Sequence, residues 1–301
     1  MEAWVAITIA AAFLQNLRSA LQKHLKGRLS TVGAAYVRFF YAWPFGLLYV
    51  YALHSWGGIP MPQPNATFFL YCVLGSVAQI LFTVLLLWMF SFRNFAVGTT
   101  FSKLEVVQVA VLGAIILGDK LSAIAVIAIV VSALGVVAMS VGQIKITLRA
   151  LLLGLSEKPT LIGLGSAAFV GGSVVFFRGA ALSLQHASAV MAAAYALAIS
   201  LLIQTLLMGV YLRWREPGEL TRVVRHWRWA GTVGVVAVLG SIGWFSAFTL
   251  ENAAHVRALG QIELVFTFIA TTAVFREHVN WRETLGMVLV VMGILILVLG
   301  G

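Results

Sequence analysis

The chain has 301 residues, of which 61% are hydrophobic and 10% charged, with a formal net charge of +10. A soluble domain needs a polar outer face, so this composition, with a mean hydropathy of +0.99, excludes a soluble enzyme or binding module and calls for a lipid bilayer as solvent. The positive charge is spread over short connections between apolar runs, where it encodes orientation in a membrane and not a nucleic-acid surface.

The apolar runs predict an all-α, polytopic membrane protein with ten spans, at 3–21, 32–53, 67–90, 95–117, 121–140, 160–184, 187–212, 229–250, 253–275 and 282–300. The first run has no basic lead and continues into "FLQNLRSALQKH" without a small-residue cleavage site, so it reads as a span and not a removed signal peptide. It carries Gln15, Arg18, Ser19 and Gln22 at spacings of three and four, which is one wet helical face. Arg18 lies near the end of the run, where it can also snorkel to the interface. The second span holds Arg38 in its first half and Pro44 in its interior, where a kink is expected. The polar break "HSWGGIPMPQPN" follows. The third span holds Ser76, Gln79 and Thr83 on one face, and also the single cysteine, Cys72, which rules out an intrachain disulfide.

The fourth span contains the least expected residues. Lys103 and Glu105 stand two apart, about 200° around a helix, and so face different ways. Glu105 shares its face with Ser102 and Gln108. A charge at mid-bilayer depth costs about 2.5–3.5 kcal/mol on insertion scales, so it is expected to face a cavity or a partner. Burial disfavours an ionised carboxyl, which suits a group that takes up and releases protons; a structural ion pair with another helix is the competing explanation. Farther along, Tyr195 and Gln204 in the seventh span, Trp244 in the eighth, and Gln261 and Glu263 in the ninth are further candidates for substrate binding or coupling. Arg178 and Arg257 lie near span ends and are read as reaching headgroups. The histidines form no ligand pair at helical spacing, and there is no phosphate-cradling loop, nucleophile elbow or ATPase segment. The expectation is therefore no metal, no cofactor and no enzymatic activity.

Shifting the chain by 158 residues lays the fourth span on the ninth without a gap. Asn94 falls on Asn252, Lys103 on Gln261, Glu105 on Glu263, Asp119 on Glu277 and Gly135 on Gly293. Chance would match Leu with Val, and seldom a mid-span glutamate with another. The expected organisation is a first five-helix repeat at 1–147, a connecting loop at 148–159 and a second repeat at 160–301. Five is odd, so the second repeat enters the membrane from the opposite side, which makes the repeats inverted and puts a substrate site near the midplane.

The segments "AVLGAIILGDKLSAIAVIAIVVSALGVV" and "FIATTAVFREHVNWRETLGMVLVVMGILI" each join a small-residue-rich span, an acidic turn and a final span with a late glycine. With two five-helix repeats in this length, the chain resembles the drug/metabolite transporter superfamily, of the EamA-like type. The resemblance implies a secondary transporter in the cytoplasmic (inner) membrane of the cell, moving a small organic molecule by alternating access. Its partners would be that substrate, the bilayer and, as the candidate coupling ion, the proton, with monomer or dimer left open. A lipid-carrier flippase of envelope synthesis is the alternative, and "GLGSAAFVGGS" would then line a lateral opening. Counting every basic residue in the spans favours an anion or zwitterion; discounting the snorkelling arginines favours a cation or a proton. An amino-acid-like zwitterion satisfies both.

Connections after the odd-numbered spans carry fourteen Lys and Arg residues, and those on the side of the termini carry only Lys120. Basic connections stay in the cytoplasm, so the charges put both termini outside, whereas the family resemblance implies cytoplasmic termini.

Overall fold

The computed structural model describes residues 2–25, 28–89, 101–102, 104–144, 158–269 and 280–300. In lipid a backbone must satisfy its own polar groups, and helices do so within one segment. Among the described residues there are helices and no strands: α1 (Ala3–Leu25), α2 (Thr31–Phe40), α3 (Trp43–Ser55), α4 (Ala66–Met89), α5 (Glu105–Ile116), α6 (Ala123–Ile144), α7 (Lys158–Ser183), α8 (Ala189–Arg215), α9 (Glu219–Arg225), α10 (Trp227–Leu250), α11 (Ala253–Gly260), α12 (Ile262–Ile269) and α13 (Trp281–Gly300). Seven of these, α1, α4, α6, α7, α8, α10 and α13, are long and apolar enough to cross a membrane.

The predicted second, fourth and ninth spans are not single long helices. The second breaks at Tyr41, whose N–H closes α2 onto Phe39 O and Val37 O, and α3 restarts with Pro44 in its first turn. A proline lacks the N–H that a helix interior needs and is tolerated where a helix begins. The ninth turns at Gln261, between α11 and α12. The fourth turns at Leu104 before α5 begins with Glu105; Lys103 and the beginning of that predicted span lie outside the described residues.

Contacts divide the chain into two units, each drawn from both halves of the sequence. The first comprises residues 1–80 and 176–251. There α1 packs antiparallel to α10, with Ala11 against Gly243 and Leu14 against Gly240. Its core runs through Phe39, Phe68, Phe177, Leu197 and Phe245. At one end of this unit Ser30 N donates to Glu219 Oε1 at 2.6 Å, tying the connection before α2 to α9. At the other end Asn65 Nδ2 donates to Ser183 O at 2.7 Å, and His186 Nε2 lies 3.0 Å from Pro60 O. The first end is basic: Arg28, Arg213, Arg215, Arg222, Arg225 and Arg228 are all exposed there, with Trp214, Trp227 and Trp229 exposed among them.

The second unit comprises residues 81–175 and 252–301. Its backbone is the antiparallel pair α6 and α13. Small residues let two helices approach closely in lipid, and here a Cβ added at Gly135 would stand 2.7 Å from Gly286 O and Val290 N. One added at Gly293 would meet the Ser132 hydroxyl and stand 2.8 Å from Ala128 O. These two sets of contacts are the same set shifted by 158 residues, since Ala128, Ser132 and Gly135 fall on Gly286, Val290 and Gly293. Beside this pair, α11 packs on α5.

Candidate functional site

The helix breaks of the second unit collect charge. Glu105 occupies the first turn of α5, and Glu263 the first turn of α12. Arg257 occupies the last turn of α11. A helix N-terminus favours a negative charge and a C-terminus a positive one, each by about 0.3–1 kcal/mol and up to ~2 kcal/mol in partly buried geometry. Each of these residues thus sits at the helix end that suits its sign. Glu105 Oε1 and Arg257 Nη2 form an ion pair between α5 and α11, each residue only 8% exposed. Arg257 also senses the charge of Glu263 one turn beyond its own helix. The expected route of Arg257 to the headgroups is therefore corrected: it is buried, because α11 is a short segment laid on α5 and its carboxylate partner is there.

Two amides lie on the same broken spans. Gln108, one turn beyond Glu105, donates from Nε2 to Leu164 O at 3.4 Å. Its Oε1 is buried with no hydrogen-bond partner among the described residues, and so is Gln261 Oε1, at the turn between α11 and α12. The structure thus places Glu105, Gln108, Gln261 and Glu263 in one unit with Arg257. Lys103 lies outside the described residues.

The remaining sequence candidates lie in the first unit. Gln15 and Arg18 are on α1, Arg38 on α2, Gln79 on α4, Tyr195 on α8 and Trp244 on α10. Gln79 Oε1 accepts from Gln204 Nε2 at 2.6 Å, and Gln204 is 2% exposed, so these amides satisfy each other across α4 and α8. The Tyr195 ring packs 5.5 Å from Phe68, and Trp244 stacks 5.6 Å from Phe248. Arg178 Nε donates to Phe248 O and Glu251 O at 2.9 and 3.1 Å. It caps the C-terminal carbonyls of α10, which lack intrahelical partners, and the expectation that it reaches headgroups is corrected as well.

Sequence reasoning missed Glu219. This residue is 1% exposed, with Oε1 on Ser30 N and Oε2 3.3 Å from Arg222 Nε. Glycine at position 33 leaves room for it, because a Cβ there would collide with the carboxylate.

Broken apolar helices carrying opposite charges at their inner ends are suited to holding a polar solute inside a membrane. Residues 158–299 match the model of the EamA-like transporter family. The second half of the chain is thus EamA-like, as in the drug/metabolite transporter superfamily. This EamA-like protein is a multi-pass membrane transporter of small molecules, and its long apolar helices accord with that. One protein of known crystal structure shares the fold, with a TM-score of 0.71 over 99% of this chain and 96% of that one, at 13% identity. At that identity the likeness speaks for the fold alone. No curated protein matches the sequence.

Proposed function

We propose that this EamA-like transporter is a secondary carrier of ten spans, in inverted repeats at 1–147 and 160–301 joined by 148–159, that moves a small amino-acid-like zwitterion across the cytoplasmic membrane by alternating access. The observation that carries this reading is the Glu105–Arg257 ion pair set where two spans break. Irregular backbone at membrane depth is tolerated where it is buried in protein or lines a cavity, and transporters use such half-helix ends to hold solutes. The buried acceptors Gln108 Oε1 and Gln261 Oε1, with the carboxylate of Glu263, suit an ammonium group. The matched contacts of α6 and α13 under the 158-residue shift support the repeat, because two equivalent antiparallel helices related by a twofold axis must touch in this way.

Glu105 and Glu263 are the proposed coupling groups. A proton arriving at Glu105 would neutralise one side of the ion pair and release Arg257, which gives the two helix breaks a reason to move. The six exposed arginines at one end of the first unit support an orientation with that end in the cytoplasm.

Uptake of radiolabelled amino acids into proteoliposomes, with and without an imposed pH gradient, tests the function. Saturable uptake that responds to the gradient is the expected outcome. A preparation that scrambles fluorescent lipid yet moves no amino acid would make the protein a flippase instead.

A further inference from the structure

Residues 213–229 of the first unit read RWREPGELTRVVRHWRW, with five arginines and three tryptophans in seventeen positions. Charge that only fixed orientation could sit on a connection without structure, but this stretch folds. Gly218, at φ 88°, turns the chain between α8 and α9 in the left-handed region that glycine enters without steric cost. Helix α9 then buries Glu219 and Val223, four residues apart on one face, and leaves Arg222, Val224 and Arg225 exposed. The Glu219 carboxylate accepts from Ser30 N at 2.6 Å, which holds that outer face in place.

Helix length sets the level of this surface in the bilayer. Helix α8 has 27 residues, about 40 Å at 1.5 Å per residue. The hydrocarbon core is about 30 Å thick, and about 40–45 Å with its headgroup layers. The last turns of α8 therefore stand among headgroups, with α9 and the start of α10 beside them. Trp214 is 78% exposed and Trp227 60%, and indoles favour that layer. Arg228 lies over the Trp227 ring, 5.7 Å from its centroid, so cation and indole are presented together. The charge is one-sided. Glu2 and Glu251 belong to the opposite end of this unit, before α1 and after α10. Glu216 is half-buried at the C-cap of α8, and Glu219 is spent on Ser30 N and Arg222. Among the described residues, Arg28, Arg213, Arg215, Arg225 and Arg228 have no carboxylate within ion-pair distance. The guanidinium fork matches phosphate oxygens two at a time, and an anionic phospholipid supplies phosphate at this depth.

We propose that this end of the first unit is a binding surface for the headgroups of anionic phospholipids. Arg213, Arg215 and Arg225 take the phosphates, and Trp214 and Trp227 settle between the headgroups and the acyl chains. Lipid bound there stabilises the folded chain, a role separate from orientation and independent of which solute is carried.

Purified protein in a neutral detergent, stripped of co-purified lipid, is titrated with phosphatidylglycerol while its melting temperature is followed, with phosphatidylcholine as the control. Phosphatidylglycerol should raise the melting temperature saturably, and phosphatidylcholine should not. The triple variant Arg213→Gln, Arg215→Gln, Arg225→Gln should weaken the phosphatidylglycerol midpoint tenfold or more. A basic residue beside an anionic surface contributes roughly fivefold. Should the triple variant fail to fold, Arg225→Gln alone should therefore weaken the midpoint about fivefold. The proposal is overturned if phosphatidylcholine shifts the melting temperature as far as phosphatidylglycerol does. It is equally overturned if the folded variants keep the parent midpoint, for then the lipid binds elsewhere. Inorganic phosphate and polyglutamate are titrated separately. A shift from either that matches the phosphatidylglycerol shift and is lost in the variants would give the surface to a soluble anion or an acidic protein, and the lipid assignment would fall.

Discussion

Two helix contacts in the second unit differ in a way that separates packing from chemistry. Between α6 and α13, residues related by the 158-residue shift make the same contacts on both sides: Gly135 meets Gly286 and Val290 as Gly293 meets Ala128 and Ser132. Between α5 and the broken pair α11 and α12 the correspondence fails. Glu105 has Glu263 at the equivalent position, whereas Arg257, which pairs with Glu105, has Thr99 as its counterpart. A close-packed pair has few sequences that fit it, so both halves stay alike. In the proposed carrier, a site for an asymmetric solute would present different groups from its two halves, which accords with that difference.

The largest effect that would sharpen this contrast is expected at the ion pair. Glu105→Gln removes the carboxylate paired with the buried Arg257 guanidinium, and breaking a buried pair from one side costs up to about 3–5 kcal/mol. A marked drop in melting temperature and loss of uptake are expected, with the double variant Glu105→Gln, Arg257→Gln regaining stability but not uptake. A double variant that transports like the parent would reduce the pair to a structural role. Next in size is Gly293→Leu, which drives a side chain into Ser132 and Ala128 O. Overpacking typically costs about 1–3 kcal/mol, so the peak on gel filtration should broaden and the melting temperature fall. The same result is expected from Gly135→Leu; a large effect at one and none at the other would break the symmetry argued here.

Glu263→Gln should lower stability less than Glu105→Gln does, since Arg257 keeps its Glu105 partner, while uptake loses its response to a pH gradient. An unchanged gradient response would remove Glu263 as a coupling group. The smallest perturbation is a C-terminal green fluorescent protein fusion, which leaves every contact in place. Exported through the Sec pathway it should stay dark, since the loop charges place the C-terminus outside; bright, full-length, membrane-inserted fusion would reverse the orientation.

The seven long spans among the described residues were legible because lipid imposes an apolar run on every helix that crosses it, and Pro44 gave notice of an irregularity in the second predicted span. The turn at Gln261 was not legible, since hydropathy averages over a turn inside an apolar run; Gly260 just before it was the available hint. Glu105 and Glu263 stood out because a carboxylate in an apolar run is expensive. Arg257 was misjudged because its depth was measured along its own span, whereas its burial is decided by α5, far away in sequence. Glu219 looked like one more charge in a polar connection. Only the fold reveals that the N–H of Ser30, the N-cap of α2, finds its acceptor there.

The close approach of α6 and α13 also has a bearing on how the protein is made. The chain between Ile144 and Trp281 is 136 residues long, and at about 5–20 residues per second the ribosome needs roughly 7–27 s to add it. Throughout that interval α6 sits in the bilayer with Ala128, Ser132 and Gly135 turned to lipid or to whatever shields them, a hydroxyl and a bare backbone stripe without their mate. Assembly of the second unit therefore waits on α13. A chain cut short before Trp281 would present the insertion machinery and its proteases with a complete-looking set of earlier spans and an open seam, which makes that seam the natural mark by which a cell tells an unfinished copy from a finished one.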